Sequence, residues 1–127
     1  MARVRFDVDV VAGHDVVCAR FDEAAADPQM IVAWFTADDQ VEAEVRKLEP
    51  ARWELLVVGP RFRAGGHATV RPRPPHARRS SESCIGVDAR LHPRGLLGLA
   101  GPLLNLAGGR IESHARTTLW REFGKPS

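Results

Sequence analysis

The chain opens on a strict alternation of apolar and polar residues. In residues 3–11, valine or phenylalanine stands at every second position, between arginines and aspartates. This period of two predicts a strand with one buried face. The same period returns in residues 41–46, 61–71 and 83–91, while residues 53–58 are apolar almost throughout. The pattern therefore predicts a strand in each of these segments.

Two short helices are predicted after the first strand. Residues 16–26 place Val17 and Phe21 on one face, at a spacing typical of an amphipathic helix. Asp27 and Pro28 then form a helix-start signal, an N-cap residue followed by proline at the first helical position. The second helix is therefore expected to follow the first directly.

The last third of the chain has a helical period. Apolar residues recur at spacings of three and four from residue 96 to residue 119, which predicts a long C-terminal helix. Glycines and Pro102 interrupt residues 96–109, so this half is expected to form a kinked lid. Two adjoining stripes are expected to face the strands. One is Leu96, Ala100, Leu103, Ala107, His114 and Thr118, and the other is Leu97, Leu104, Ile111, Ala115 and Leu119.

Strands that are separated from helices along the chain indicate an α+β fold rather than an alternating α/β fold. The length favours one domain over residues 1–127. The predicted architecture is an antiparallel, curved sheet with the long C-terminal helix lying across it. Such an arrangement tends to enclose a cavity, and the cavity is the expected functional site.

Charge is distributed unevenly along the chain. The net charge is only +2, but residues 1–59 carry 12 acidic against 6 basic side chains, and residues 60–127 carry 4 acidic against 12 basic. Outward strand faces and a basic loop account for this asymmetry, with an anionic ligand or an acidic protein partner as the alternative. Nucleic acid is not an expected partner. Phe62 is the one aromatic residue in the arginine-rich residues 61–79, and its side chain points to the face opposite that of the strand arginines.

Cysteine usage and hydropathy predict a cytoplasmic protein. Cys18 and Cys84 are two thiols in a chain without a secretion leader, which favours a reducing compartment. The longest uncharged apolar run, residues 95–109, contains five glycines and a proline. No membrane span is therefore expected.

Few residues are candidates for chemistry. No phosphate-binding loop, nucleophile elbow or metal-ligand spacing is present, so no cofactor and no metal are expected. His114 lies on the first helical stripe, where it would orient a ligand carbonyl or act as a general acid or base. The alternative is a histidine that is hydrogen-bonded to a backbone carbonyl or to water. Gly65 and Gly66 mark a bulge or a close approach of the backbone.

Three segments of the chain carry a resemblance to a known family. The first is the opening strand and helix, followed by Asp27-Pro28 and a short helix that ends near Trp34. The second is residues 91–97, LHPRGLL, at the passage from the last strand into the C-terminal helix. The third is residues 101–104, GPLL, at the start of that helix. In these segments the chain resembles the START/SRPBCC superfamily, the helix-grip proteins that include polyketide cyclase/dehydrase-like members.

The resemblance implies a helix-grip fold, in which the curved sheet wraps around the C-terminal helix with a hydrophobic tunnel between them. It implies binding of a small hydrophobic ligand, polyketide- or lipid-like, and in some members its cyclisation or dehydration. His114 is then the catalytic candidate. The expected ligand-binding residues, with Trp34 and Trp53 alternatively interpreted as core anchors, are Trp34, Trp53, Phe62, Val87, Leu103, Ala107 and Thr118.

The chain also departs from the family pattern. Only six residues lie between Trp34 and Val41, which predicts a sheet that is one hairpin short and a smaller or more open cavity. The chain has no tyrosine, which weakens a cyclase assignment. The alternatives are a non-catalytic carrier or sensor and a homodimeric interaction module. A cone-shaped nuclear-transport-factor-like fold is the structural alternative, but that fold starts with its helices and ends in strands.

Overall fold

The computed structural model describes residues 2–37, 40–73, 80–94 and 101–127, with Gly101 and Pro102 described for their backbone alone. The α+β prediction is confirmed, including the two short helices after the first strand and the C-terminal helix. The predicted lid lies partly outside the described residues, and its described part, residues 101–109, is helical. The elements in order are β1 (Ala2–Val10), α1 (His14–Ala25), α2 (Pro28–Phe35), β2 (Glu42–Glu49), β3 (Arg52–Val58), β4 (Phe62–Pro72), β5 (Ser83–Pro93) and α3 (Gly101–Phe123).

The described strands form one open antiparallel sheet in the order β1-β5-β4-β3-β2. The strands β1 and β2 therefore lie at opposite edges, although α1 and α2 alone separate them among the described elements of the chain. Neighbouring strands lie about 4.8 Å apart, so the connection through α1 and α2 crosses roughly 19 Å of sheet. This crossing places both helices against one face, which we call the inner face.

The inner face of the sheet follows the predicted parity. The apolar residues of β1 that alternate with its charges are buried, and Ile85, Val87 and Leu91 of β5 face the same side. The helix α3 packs against β1, and its Gly108 comes so close that an added Cβ would lie 2.7 Å from Val4 Cγ2. A glycine at this position of α3 thus permits close packing of the helix on β1.

Aromatic rings join the helices to the sheet. The ring of Phe21 in α1 stacks on Trp53 of β3 at 4.9 Å and meets Trp34 of α2 edge-on at 5.2 Å. Phe123, at the end of α3, lies 6.3 Å from Phe21. Trp53 also donates a hydrogen bond from Nε1 to Asp22 Oδ1 at 3.2 Å. These contacts make both tryptophans core residues.

The end of α3 is fixed to the end of β1. Gly124 has a positive φ of 93°, which ends the helix, and its carbonyl oxygen accepts a hydrogen bond from Val11 N at 3.1 Å. The indole Nε1 of Trp120 donates to the carbonyl oxygen of Asp9 at 2.9 Å. The helix axis is therefore held across the inner face at its C-terminal end.

Candidate functional site

An apolar cavity, which we call the inner cavity, lies between the inner face of the sheet and the helices α2 and α3. Its volume is about 70 Å³. Four strands, the last turn of α2 and one residue of α3 contribute to its wall. The lining residues are Val4, Val32, Phe35, Thr36, Leu55, Val57, Phe62, Ala64, Gly65, Gly66, His67, Ala68, Val87, Ala89, Leu91 and Ile111.

Small residues on β4 and β5 create this cavity. Ala64, Gly66 and Ala68 alternate along the inner side of β4, and Ala89 is paired with Gly66 from β5. Because these residues have no side chain beyond Cβ, they leave space beneath Ile111, which lines the cavity from α3. The predicted close approach at the glycine pair is confirmed. A Cβ on Gly66 would collide with the carbonyl oxygen of Asp88, whereas the strand register runs through without a bulge.

The lining is chemically uniform. Thr36 and His67 are its polar residues, and the others are apolar or glycine. His67 lies between Gly66 and Ala68, which face inward, so its side chain belongs to the outer face of β4. The inner cavity is therefore suited to apolar groups, and it presents no acid–base pair among the described residues.

Two of the predicted ligand-binding residues, Phe62 and Val87, line the inner cavity. Trp34 and Trp53 do not line it, since they are buried in the aromatic cluster around Phe21. The core interpretation of these tryptophans therefore matches the structure. Their size and their stacking partners place them in the core rather than at the cavity wall.

The buried face of α3 is narrower than the two stripes predicted. Leu104, Ala115 and Leu119 of the second stripe are buried, whereas Leu103 of the first stripe is 55% exposed. Ala107 packs at the edge of the core, outside the cavity lining. Thr118 donates its hydroxyl to the carbonyl oxygen of His114 at 2.8 Å and also lies outside the lining. The physical reason is that the approach of Gly108 to β1 turns the second stripe toward the sheet.

His114 is held by the backbone of α2. Its Nε2 lies 2.8 Å from the carbonyl oxygen of Ala33. Because a carbonyl accepts, Nε2 carries the proton in this bond. His114 does not line the inner cavity. His114 therefore lies at the edge of the helix face and is hydrogen-bonded to a backbone carbonyl. This is the alternative to a catalytic role that the sequence left open.

A cysteine and a histidine also meet in α1. Cys18 Sγ lies 3.9 Å from both ring nitrogens of His14, and Asp15 Oδ1 lies 3.6 Å from His14 Nδ1. Burial, with Asp22 and Asp15 nearby, raises the pKa of the Cys18 thiol, and burial raises the pKa of Cys84 to about 11. Neither thiol is thus activated as a nucleophile. In residues 2–37, 40–73, 80–94 and 101–127, no cluster of His, Cys, Asp and Glu is arranged to hold a metal ion.

Several residues that line the inner cavity were not predicted from the sequence. Leu55 and Val57 lie in a strand that is apolar on both faces, so parity alone does not show which side faces in. Both residues lie at even spacings from the buried Trp53, so they share its face of the strand, and this is the signal that would have identified them as inward-facing. Ile111 belongs to the second helical stripe, which reaches the cavity while the first does not.

No described helix of the chain combines the length and the apolar character that crossing a bilayer requires. No protein-family model matches the chain, and no curated protein matches it in sequence. A solved structure nevertheless shares the fold. It is the crystal structure of a conserved protein from Geobacillus kaustophilus, with a TM-score of 0.62 at 12% identity over 94% of this chain and 92% of that one. At this identity the similarity shows the fold alone, a five-stranded antiparallel sheet with a C-terminal helix.

Proposed function

We propose that the protein binds a small hydrophobic ligand in the inner cavity, as a helix-grip protein of the START/SRPBCC type. The observation that carries this proposal is the cavity itself, which is apolar and lies between the sheet and α3. The order of elements, with two helices after β1 and a long helix after the last strand, supports the same assignment. Binding would rest on the removal of apolar surface from water.

The volume of the cavity limits the proposed ligand. Pockets for drug-sized molecules measure about 300–1,000 Å³, whereas the inner cavity has about 70 Å³. The proposed occupant is therefore the end of an acyl chain or a single ring, not a whole polyketide. A larger ligand would require α2 and α3 to separate from the sheet.

Binding without chemistry is the form of the proposal that the lining supports. A cyclisation or dehydration step needs a proton donor or acceptor at the ligand. His114, the predicted group, would first have to leave the carbonyl oxygen of Ala33. Catalysis through His114 remains a prediction, and a carrier or sensor is the function we propose.

A variant that fills the cavity tests the proposal. The probe is toluene, a single apolar ring of the size that the cavity admits, and its binding is followed by isothermal titration calorimetry. Ala64→Leu adds an apolar side chain inside the cavity and should weaken binding about tenfold or more by occupying the space. Leu103→Ala is the matched control, because Leu103 is exposed on α3 and should leave the affinity unchanged.

Thermal unfolding of each variant shows whether the fold is retained. The proposal is wrong if wild-type protein shows no saturable binding of toluene, or if Ala64→Leu binds toluene as well as wild type does. His114→Ala should retain binding of the probe. Native mass spectrometry of the purified protein would further show whether a hydrophobic molecule is retained and whether the protein is a homodimer.

A further inference from the structure

The outer face of the sheet, opposite the inner cavity, carries a second and polar cleft. We call it the outer cleft, and its volume is about 250 Å³. Its walls come from four strands, β1, β5, β4 and β3. Arg5, Asp7, Arg52, His67, Thr69 and Arg71 are among the residues that line it.

The strand register explains how these residues come together. Asp7 is paired with Gly86, Gly86 with Thr69, and Thr69 with Arg52, so one row crosses four strands. Directly paired residues in an antiparallel sheet point to the same face. Arg5 precedes Asp7 by two positions and so shares this face. The outer cleft therefore forms only when these four strands pair in this order.

Gly86 forms the floor of the outer cleft. A Cβ at this position would lie 2.9 Å from Arg71 Nη2 and 3.0 Å from Asp7 Oδ1. The ion pair between Arg71 and Asp7, at 2.7 Å, lies across the glycine. A side chain at Gly86 would displace this pair, and its absence keeps the hollow open.

Both carboxylates in the cleft already have arginine partners. Asp7 is paired with Arg71, and Asp88 is paired with Arg3 at 2.8 Å. The hydrogen bond from Arg3, and to a smaller extent nearby arginines that include Arg5, lower the pKa of Asp88. The ionised form of Asp88 is thus favoured, and each carboxylate is paired with an arginine within the sheet.

Two arginines of the cleft have no such partner. Within the part of the chain that the structure describes, Arg5 and Arg52 make no ion pair and no side-chain hydrogen bond. The Nε of Arg52 is buried and has no acceptor. A buried donor without an acceptor is unfavourable, because the loss of its hydrogen bonds to water is not compensated. The outer cleft therefore has more cationic donors than the protein itself satisfies.

We propose that the outer cleft binds a small oxyanion, the phosphate or carboxylate group of a ligand, between Arg5 and Arg52. Guanidinium groups bind such anions in a bidentate geometry. His67 and the hydroxyl of Thr69 are further donors at the same site. A metal ion does not fit there, because both aspartates are engaged by arginines. The site is separate from the inner cavity and does not rest on the function proposed for it.

Titration with inorganic phosphate at low ionic strength, followed by isothermal titration calorimetry, tests this site. Wild-type protein should bind one phosphate per chain in a saturable manner. Arg52→Gln should weaken binding about tenfold or more, because a charge-assisted hydrogen bond is lost. Arg90→Gln is the matched control. The substitution removes an exposed charge from the same face of the sheet, but Arg90 does not line the outer cleft. The affinity of the variant for phosphate should therefore stay within about twofold of wild type.

Circular dichroism establishes that the variants are folded. If Arg52→Gln does not fold, Arg5→Gln carries the test with the same expectation, since Arg5 is exposed on the edge strand β1. The proposal is overturned if phosphate binding is not saturable. It is also overturned if Arg90→Gln weakens binding as much as the cleft variant does, because general attraction to a basic surface would then explain the result.

Sedimentation with vesicles distinguishes two sources of the anion. The vesicles contain phosphatidylcholine with or without phosphatidic acid. Binding that requires phosphatidic acid and is lost in Arg52→Gln identifies a lipid headgroup as the source. Binding of phosphate in solution without binding to either vesicle identifies a free anionic molecule. The sheet geometry is the same in both cases, and the shared chemistry is an oxyanion held by two arginines.

Discussion

His114 in α3 and Ala33 in α2 are joined by a hydrogen bond of 2.8 Å from the imidazole Nε2 to the carbonyl oxygen. This bond fixes the distance between two helices that stand on either side of the inner cavity. A titratable side chain is thus used to hold two helices together.

Replacing His114 tests this structural role. His114→Ala should lower the free energy of unfolding by about 1 kcal/mol, the usual contribution of one hydrogen bond. His114→Gln should lose less, because the amide nitrogen of glutamine can donate to the same carbonyl oxygen. Urea unfolding followed by circular dichroism measures both values. Equal losses in the two variants would contradict a role for the hydrogen bond.

The neighbours Leu103 and Leu104 show which face of α3 is buried. Leu104 is 1% exposed and Leu103 is 55% exposed. Leu104→Ala should lower the free energy of unfolding by about 2–5 kcal/mol, since it removes a buried side chain and leaves a cavity. Leu103→Ala should change it by less than about 0.5 kcal/mol. Chemical denaturation measures the difference, and similar losses would mean that α3 is rotated relative to this structure.

The glycine pair of β4 gives another matched comparison. Gly66→Ala should destabilise the protein by about 1–3 kcal/mol or more, because the new Cβ meets the backbone of β5 and not a movable side chain. Gly65→Ala places its Cβ 3.4 Å from Leu56 Cδ2, an ordinary contact. It should therefore be close to neutral. Thermal unfolding of both variants decides the matter, and a tolerated Gly66→Ala would show that β4 and β5 lie further apart.

Cys84 should make stability depend on pH in the alkaline range. Burial, and then Asp7 and Asp9, raise the pKa of its thiol from 9.0 to about 11. Between these values the unfolded chain holds fewer protons on this group than the folded protein does. The contribution of the Cys84 thiol to stability is thus fully present below about pH 9 and is lost as the pH rises toward about 11.

The measurement is urea unfolding of wild type and Cys84→Ala at pH values on both sides of 9. Wild type should lose more stability than the variant as the pH rises above that value. The absence of tyrosine from the chain reduces the number of other groups that titrate there. Parallel losses in the two proteins would show that Cys84 does not contribute.

The sequence predicted strand faces better than helix faces, for a physical reason. In β1 and β5, successive side chains point to opposite sides, so alternation assigns each residue to a face without ambiguity. In α3, two adjoining stripes are both apolar, and the angle between them is small. Which stripe is buried depends on Gly108 and its approach to Val4, a contact between distant parts of the chain.

The remaining site residues depend on tertiary structure in the same way. Trp34 and Trp53 are large enough for a cavity wall or a core. Their ring contacts with Phe21, edge-on for Trp34 and stacked for Trp53, place them in the core. The outer cleft combines residues of four strands, so it exists only once the strand order is known. Local periodicity shows which face of a strand each residue occupies, but it does not show the order of the strands in the sheet.

The strand order also has a consequence for how the chain reaches this structure. The N-terminal strand β1 pairs among the described strands with β5, and Ala2 is opposite Leu91. Contacts that join residues so far apart in sequence form slowly, because a long loop must close first. During synthesis, β1 must wait with its edge unpaired until β5 has been made. A ribosome-bound chain that stops before β5 should therefore expose β1 to chaperones, and the later arrival of β5 and α3 would withdraw it.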